Sequence, residues 1–235
     1  MRNMALTAEH IARIQRTEPD EGPHPDREQM NDADYSQWAD DLLEELTGTS
    51  LRIFGYGSLI WKPEFEYIAA SRGWLHGWHR SFCMKIERWR GTRTVPGLMM
   101  ALDSKGSCCG MVYELSDENK KALLEKILRR EMTNKPPTNV PRVLKANMGG
   151  KMVRVIAFTS NPDGPTFVKD MPLPKVAKIL AEAAGHWGTG AEYLFNTVSH
   201  LEQLGIEDRN LWELQKLVAN EIERLQFPSP TLGEG

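Results

Sequence analysis

The sequence has few cysteines, no long apolar run and no large excess of charge of either sign. Its three cysteines, Cys83, Cys108 and Cys109, are an odd number, and adjacent cysteines bridge each other only with strain, so no disulfide framework is expected. No apolar stretch approaches the ~20 residues that a membrane-spanning helix needs, and the N-terminus mixes charges throughout where a secretory signal would be apolar. These absences predict reduced thiols in a cytoplasmic protein with no membrane partner.

The charges nearly cancel, with 29 Lys and Arg against 32 Asp and Glu and a net charge of -3. This balance provides no general attraction for nucleic acid or for an anionic membrane. A basic group stands out at Arg88, Trp89, Arg90 and Arg93. We interpret it as a solvated loop, or as a site that attracts an anionic peptide substrate, and expect no nucleic-acid partner.

The surroundings of the candidate residues argue against a zinc site and against a cysteine nucleophile. His76 and His79 are three residues apart in an apparent strand, so they face opposite sides, and too few cysteines lie near them to complete a zinc site. Cys83 has no identifiable histidine to activate it as a nucleophile. We therefore predict no metal site and disfavour a cysteine-protease chemistry.

A chain of 235 residues with 40% hydrophobic content can fill a sizeable core, and one folded domain is expected. We predict an N-terminal extension over residues 1–48, a folded domain over 49–227 and a disordered Pro-, Gly- and Ser-rich tail over 228–235. The extension should contain two helices around a flexible linker at 18–34, the second helix covering 35–46. Residues 1–30 and the tail are expected to be dispensable for activity.

The middle of the domain is predicted to be mainly β and its C-terminal part helical. Short aromatic and aliphatic runs bounded by turns indicate strands at 73–84, 97–102, 108–115 and 152–158. Helices are predicted from Ser116 as a cap over 117–130, from Pro174 to near Gly185, from a Thr189 capping box to Gly205, and over 208–225. This pattern predicts an α+β fold, with a small twisted or barrel-like mixed sheet flanked by helices.

The most distinctive stretch is 53–61, where a short apolar strand enters a turn containing Gly55 and Gly57 and then becomes apolar again. Such a turn can expose consecutive backbone N–H groups, which together bind a carboxylate or phosphate. A dinucleotide-binding fingerprint is excluded because its third glycine would fall at Ile60, and no Gly-Lys-Ser/Thr follows to make a phosphate loop. On spacing alone, a glycine bend between two core strands explains the stretch equally well.

A second candidate is Glu131. In the helix predicted after Ser116, the apolar face includes Leu124, Ile127 and Leu128, and helical spacing places Glu131 on that same face. A carboxylate therefore occupies a position where leucine would be expected. Considered alone, it is better explained as a helix-end carboxylate paired with Arg130 or Lys135.

The run 54–61, Phe-Gly-Tyr-Gly-Ser-Leu-Ile-Trp, resembles the signature of the ChaC-type γ-glutamylcyclotransferases, which act on glutathione. Further stretches at 77–82, 96–97, 130–132 and 192–195 resemble successive blocks of that family in the same order. The resemblance runs from about residue 51 to 225 and leaves the N-terminal extension uncovered. It implies the same α+β fold that the pattern of strands and helices predicts.

By this resemblance Glu131 is the catalytic acid/base, and the α-amino group of a γ-glutamyl unit attacks its own γ-carbonyl to form 5-oxoproline. The reaction needs no nucleophile from the enzyme and no cofactor. The resemblance also implies that the turn binds the γ-glutamyl end of the substrate, through Gly55, Tyr56, Gly57, Ser58, Leu59 and Ile60. Tyr193 is a further candidate for lining the pocket, although a buried structural tyrosine with a bonded hydroxyl explains it better.

The predicted activity is cleavage of glutathione, a small-molecule substrate, to 5-oxoproline and cysteinylglycine. Relatives usually have a tyrosine a few residues after the glutamate, whereas residues 132–138 contain no aromatic side chain. Two alternatives are cyclotransfer on another γ-glutamyl amine and a non-catalytic γ-glutamyl-binding or regulatory role. The glutamate at 131 argues for an enzyme. No pattern in the sequence specifies an oligomeric state.

Overall fold

Five strands close into a barrel-like sheet in the computed structural model, which describes residues 3–225. Their order around the barrel is β2, β4, β3, β6 and β7, and β7 also contacts β2 and β4. The strands are β1 (Glu28–Gln29), β2 (Arg52–Gly55), β3 (Ala69–Ile86), β4 (Gly97–Glu114), β5 (Asn134–Lys135), β6 (Asn139–Met148), β7 (Lys151–Ser160), β8 (Ala184–Gly185) and β9 (Gly188–Thr189). The predicted α+β, barrel-like fold is confirmed.

The long antiparallel hairpin of β3 and β4 forms much of the barrel wall. Two separate strands were expected at 97–102 and 108–115, but β4 is continuous through Lys105 and Gly106. Both residues have positive φ, and the register with β3 shifts beside Gly77, which also has positive φ. The polar residues that indicated a turn therefore form a bulge inside one strand, where an unpaired residue bends the sheet without ending it.

The other barrel strands bring three chain segments to one end. β2 runs parallel to β7, with Ile53 opposite Ile156, so both strands finish at the same end of the barrel. β6 is antiparallel to β7 and begins at that end, where Asn139 pairs with Ser160. The sequence analysis did not predict β6, because Pro141 and several polar residues interrupt its apolar pattern.

Seven helices lie around the barrel in the described part of the chain. They are α1 (Ala8–Ile14), α2 (Asp32–Glu45), α3 (Ser58–Trp61), α4 (Lys120–Glu131), α5 (Leu173–Glu182), α6 (Gly190–Gln203) and α7 (Arg209–Arg224). The last three pack against one another, and α2 packs against α4. No helix among residues 3–225 is long and apolar enough to cross a membrane.

Helix ends differ from the predictions by a few residues. α4 begins after Asn119, which has φ 54°, and not directly after Ser116, because the Ser116 hydroxyl accepts a hydrogen bond from the Glu118 N–H in a turn that precedes the helix. α2 starts three residues earlier than expected, since Asn31 and Asp34 form a reciprocal cap. α5 ends at Glu182, and the chain then enters the short β8–β9 pair.

The N-terminal extension packs on the folded domain. Leu6, Ile11 and Ile14 are buried in the main core, and the Leu6 N–H donates to Gln215 Oε1 at 2.7 Å. Further along, within the segment expected to be a flexible linker, β1 pairs with β5 in an antiparallel two-stranded sheet. The burial of these side chains makes the extension part of the folded core, while its dispensability for activity stays a prediction. The predicted tail at 228–235 lies outside the described residues.

Replacing Ile11 tests whether the extension is part of the core. Truncating a buried isoleucine removes apolar burial and leaves a cavity, so Ile11→Ala should lower the free energy of unfolding by about 2–5 kcal/mol. Arg13→Ala, on the exposed side of the same helix, is the matched control and should cost less than about 0.5 kcal/mol. Denaturant unfolding measures both. Equal, small effects would contradict a structural role for the extension in the core.

Candidate active site

Glu131 is the last residue of α4, and its side chain is only 15% exposed. Arg130 Nε lies 3.2 Å from Glu131 Oε1, and Asn139 Nδ2 donates to Glu131 Oε2 at 3.3 Å. Burial raises the pKa of Glu131, the charge of Arg130 partly opposes this, and the nearby Glu64 carboxylate raises the pKa further. A carboxylate with a raised pKa and two donors beside it is suited to accept a proton and to return it.

Of the two pairings that the helix-end interpretation offered for Glu131, the structure contains the one with Arg130. Lys135 is engaged elsewhere, with Asp34 at 2.7 Å and Glu28 at 2.9 Å. Arg130 is itself held by the backbone, because its Nη1 donates to Pro63 O at 2.7 Å. This bond anchors the guanidinium beside Glu131 and close to the end of the glycine turn.

The glycine turn follows β2 and leads into α3. Gly57 is the N-cap of α3, and a Cβ at this position would lie 2.7 Å from the Tyr193 hydroxyl oxygen and 3.0 Å from Met100 Cε. At Gly55 a Cβ would lie 2.8 Å from Tyr113 Cε2. The two glycines are therefore needed because side chains approach the backbone closely, and their φ values are not positive.

Within the turn, some of the expected donors are already bonded. The Ile60 N–H donates to Gly57 O at 2.9 Å, and Ser58 lies close enough to Tyr193 to lower the pKa of its hydroxyl. The side chains of Tyr56 and Leu59 are buried, so their contribution to a ligand site would come from the backbone. The turn thus offers fewer backbone donors than the sequence suggested.

Tyr193 lies in the first turns of α6 and is buried between Trp61 and Phe82, with ring centroids 5.8 and 6.1 Å away in edge-to-face arrangements. Burial raises the pKa of Tyr193 to about 12, and the charge of Glu131 adds to this while hydrogen bonds from Ser58 oppose it. Burial and then Glu131 also raise the pKa of Tyr56. The charge of Glu131 therefore acts on both tyrosines, and Gly57 approaches the Tyr193 hydroxyl closely.

Arg80 holds the Tyr56 carbonyl oxygen of the glycine turn, a role that the sequence did not indicate. The side chain is almost fully buried, and its Nε donates to Tyr56 O at 2.7 Å while its Nη2 donates to Cys109 O at 2.5 Å. Its remaining nitrogen pairs with Asp208 Oδ2 at 3.1 Å, at the cap of α7. A buried arginine in a strand gives no periodic signal, so only its place within the 77–82 stretch indicated importance.

Arg90 supports Tyr193 from the other side. Its Nη1 donates to Thr189 O and to Glu192 Oε2, both at 2.7 Å, and its guanidinium carbon lies 5.6 Å from the centroid of the Tyr193 ring. The predicted Thr189 capping box is therefore only half formed. The Thr189 hydroxyl accepts from the Glu192 N–H, but the Glu192 carboxylate binds Arg90 instead of returning to the cap.

The other arginines of the basic group are also paired, in each case with the N-terminal extension. Arg88 makes two hydrogen bonds to the Asp20 carboxylate, at 2.8 and 2.7 Å. The Arg93 N–H donates to Glu21 Oε2 at 3.1 Å, and its Nη2 donates to Glu21 O at 2.9 Å. The group therefore anchors the extension to the loop after β3, a role that neither sequence interpretation included.

The three cysteines are free and buried. Burial raises the pKa of Cys83 to about 12 and that of Cys108 to about 11, so neither thiol ionises readily at neutral pH. This disfavours a thiol nucleophile. Among residues 3–225, no group of three or more His, Cys, Asp or Glu side chains could hold a metal ion.

The raised pKa of Glu131 predicts a pH-dependent stability. Above the ordinary glutamate pKa of about 4.3, the unfolded chain releases this proton freely while the folded chain retains it, so stability falls as pH rises through the folded pKa. Glu131→Gln does not titrate and should melt at a higher temperature than the parent, by a margin that grows over this pH window. Melting curves across pH, with Glu125→Gln on the same helix as control, measure the margin. A constant margin would contradict a raised pKa.

This chain is similar to proteins of one known family. A family model described as ChaC-like protein matches residues 51–221. A glutathione-specific gamma-glutamylcyclotransferase of Escherichia coli (strain K12) is 35% identical over 188 residues, 78% of each chain, and gamma-glutamylcyclotransferase 2-3 of Arabidopsis thaliana is 29% identical over 77% of this chain and 92% of its own.

A solved structure supports the fold. The crystal structure of a glutathione-specific γ-glutamyl cyclotransferase from yeast matches with a TM-score of 0.67 and 20% identity, and covers 73% of this chain and 96% of its own. At this identity the likeness shows the shared architecture. With the family model spanning most of the chain and a relative above 30% identity, the chain belongs to the ChaC-like family.

Proposed function

We propose that this protein is a glutathione-specific γ-glutamylcyclotransferase, which converts glutathione to 5-oxoproline and cysteinylglycine. The observation that carries the proposal is a buried carboxylate of raised pKa, Glu131, grouped with the glycine turn and Tyr193 in a chain of the ChaC-like family. The relatives named as glutathione-specific enzymes support the choice of substrate. We assign the catalytic domain to residues 49–227 and the extension to 1–48.

The proposed chemistry begins with a proton transfer to Glu131. The α-ammonium group of the γ-glutamyl unit, with a pKa of about 8, must lose a proton before its lone pair can attack, and the Glu131 carboxylate takes it. The freed amine nitrogen then forms a bond to the γ-carbonyl carbon, closing a five-membered ring. Because both groups belong to one molecule, holding it folded replaces the entropy loss of a two-molecule encounter.

Attack on the carbonyl carbon gives a tetrahedral intermediate, and its collapse breaks the original amide bond. The electron pair leaves with the nitrogen of cysteinylglycine, and the protonated Glu131 returns its proton to that nitrogen. The second proton of the ring nitrogen then passes through the Glu131 carboxylate to the released amine, which leaves as an ammonium group. One residue therefore serves both halves, and water is not consumed. Burial of Glu131 suits the second half, since a raised pKa keeps the proton available for donation.

The glycine turn and Tyr193 are proposed to bind the γ-glutamyl end. We assign binding to the backbone from Gly55 to Ile60 and to the pocket wall at Tyr193, with Arg80 holding the Tyr56 carbonyl away from the ligand.

Three buried free thiols suit a reducing compartment, and we place the protein in the cytoplasm. The absence of an aromatic residue in 132–138 favours one second candidate, the same reaction on another γ-glutamyl amine.

Replacing Glu131 tests the proton transfer. Glu131→Gln keeps the shape of the side chain, so it should bind substrate normally and lose turnover by about 10²- to 10⁴-fold. Mass analysis of products in ¹⁸O-labelled water accompanies the rate measurement: the parent should yield unlabelled 5-oxoproline and intact cysteinylglycine. Labelled glutamate as the main product would indicate hydrolysis, and full activity in the variant would exclude Glu131 as the acid/base.

A double-mutant cycle tests the close approach of the turn to Tyr193. Gly57→Ala should raise the KM for glutathione, because the new Cβ displaces the Tyr193 hydroxyl. In a Tyr193→Phe background the same change should raise KM less, since the nearest remaining ring atom would be 3.9 Å away. The expected coupling is about 0.5–3 kcal/mol. Strictly additive effects would remove Tyr193 from the binding assignment.

A further inference from the structure

Asn139 holds an unusual position beside Glu131. It is the first residue of β6, it is only 6% exposed, and its Nδ2 donates to Glu131 Oε2. Its Oδ1 is fully buried and has no hydrogen-bond partner. A buried carbonyl oxygen without a donor is destabilising, and most such oxygens in folded proteins are bonded. The oxygen is therefore available to a donor that enters the site.

The orientation of this amide follows from the charge of its neighbour. An ionised carboxylate only accepts hydrogen bonds, so the amide must turn its NH₂ group towards Glu131. The amide oxygen is attached to the same carbon as that nitrogen and takes the other position of the amide plane, where no protein donor meets it. The backbone of Asn139 is fixed by its pairing with Ser160 in the barrel wall, so the side chain begins from a rigid strand.

We propose that Asn139 Oδ1 accepts a hydrogen bond from the α-ammonium group of the γ-glutamyl substrate, while Asn139 Nδ2 positions the Glu131 carboxylate that takes the proton. This rests on the function proposed above. An ammonium group has three N–H donors, and one nitrogen can donate to Glu131 and to Asn139 Oδ1 together. The two acceptors orient the group so that a defined N–H faces the base.

An amide suits this place better than a second acid. A carboxylate next to Glu131 would raise its pKa further by like-charge repulsion, adding to the effects of burial and of Glu64, and leave less of the base ionised. The amide provides an acceptor for the ammonium without a charge. Its NH₂ group favours the ionised form of Glu131, as Arg130 does from the other side.

The two halves of the amide have separate consequences. Losing the oxygen should weaken binding of substrates that carry an α-ammonium group, with no effect on ligands that lack it. Losing the NH₂ group should raise the pKa of Glu131 and move the acid limb of the kcat profile to higher pH. Two variants divide these effects: Asn139→Leu removes both halves, and Asn139→Asp keeps an oxygen acceptor but replaces the NH₂ group with a charge.

The binding test compares glutathione with glutaryl-cysteinylglycine, which keeps the rest of the molecule but lacks the α-amino group and cannot cyclise. Asn139→Leu should raise the KM for glutathione about 10- to 100-fold, the range for a lost hydrogen bond to a charged group. In the same variant, the inhibition constant of the glutaryl peptide should change less than about twofold. Asn147→Ala, the same residue type at the far end of β6, is the matched control and should leave both constants unchanged.

The pH test uses the same proteins. The acid limb of kcat should move to higher pH in Asn139→Leu and further in Asn139→Asp, whose KM measured above that limb should stay closer to the parent value. Thermal melting of each variant confirms that it is folded, and Asn139→Asp, nearly equal in size, remains informative if the leucine variant unfolds.

The outcomes separate the two proposals. A parent protein that forms no 5-oxoproline from any γ-glutamyl amine would overturn the proposed function. An active parent with unchanged KM and acid limb in folded Asn139 variants would overturn the role of Asn139 alone. Equal increases in KM for glutathione and in the inhibition constant of the glutaryl peptide would also overturn it, because they would show a general loss of pocket shape.

Discussion

The site depends on keeping one carboxylate out of water while leaving it able to ionise. Glu131 lies on the apolar face of α4, where burial disfavours its charge, and Arg130 and Asn139 partly compensate by donating to it. Removing a charge from water is costly unless hydrogen bonds replace the lost solvent. The barrel end, the turn and the start of β6 are arranged around this requirement, because each brings a group that limits solvent access or supplies a donor.

Buried arginines hold the surrounding backbone. Arg80 connects the turn, β4 and the cap of α7 through two carbonyl oxygens and Asp208, and Arg90 connects the loop after β3 to the start of α6. A guanidinium group suits both places since its several planar donors satisfy groups on different segments at once. Arg80 thus holds the backbone next to Gly57, and Arg90 holds the start of the helix that carries Tyr193.

The N-terminal extension lies close to the same region although the family model does not include it. β1 pairs with β5 just after Glu131, the Met30 N–H donates to Thr133 O at 3.0 Å, and the Tyr35 hydroxyl donates to Met132 O at 2.8 Å. These bonds fix the backbone that follows Glu131, which in this chain has no aromatic side chain of its own. The extension thus contributes to the geometry of the site from outside the family-matched region.

The α+β class, most of the helices, the family and the two candidate regions at 53–61 and Glu131 could be predicted from the sequence. Local periodicity, glycine spacing and motif order are properties of neighbouring residues, so they can be seen without the fold. The sequence did not show that β4 continues through a bulge or that a Cβ at Gly57 would meet Tyr193. Nor did it show that Arg80 bonds the turn, that Arg90 lies beside Tyr193 or that Asn139 donates to Glu131. These features join residues far apart in the chain. Only closure of the barrel sets their distances, because a buried polar contact depends on which partner the tertiary fold brings within hydrogen-bonding range.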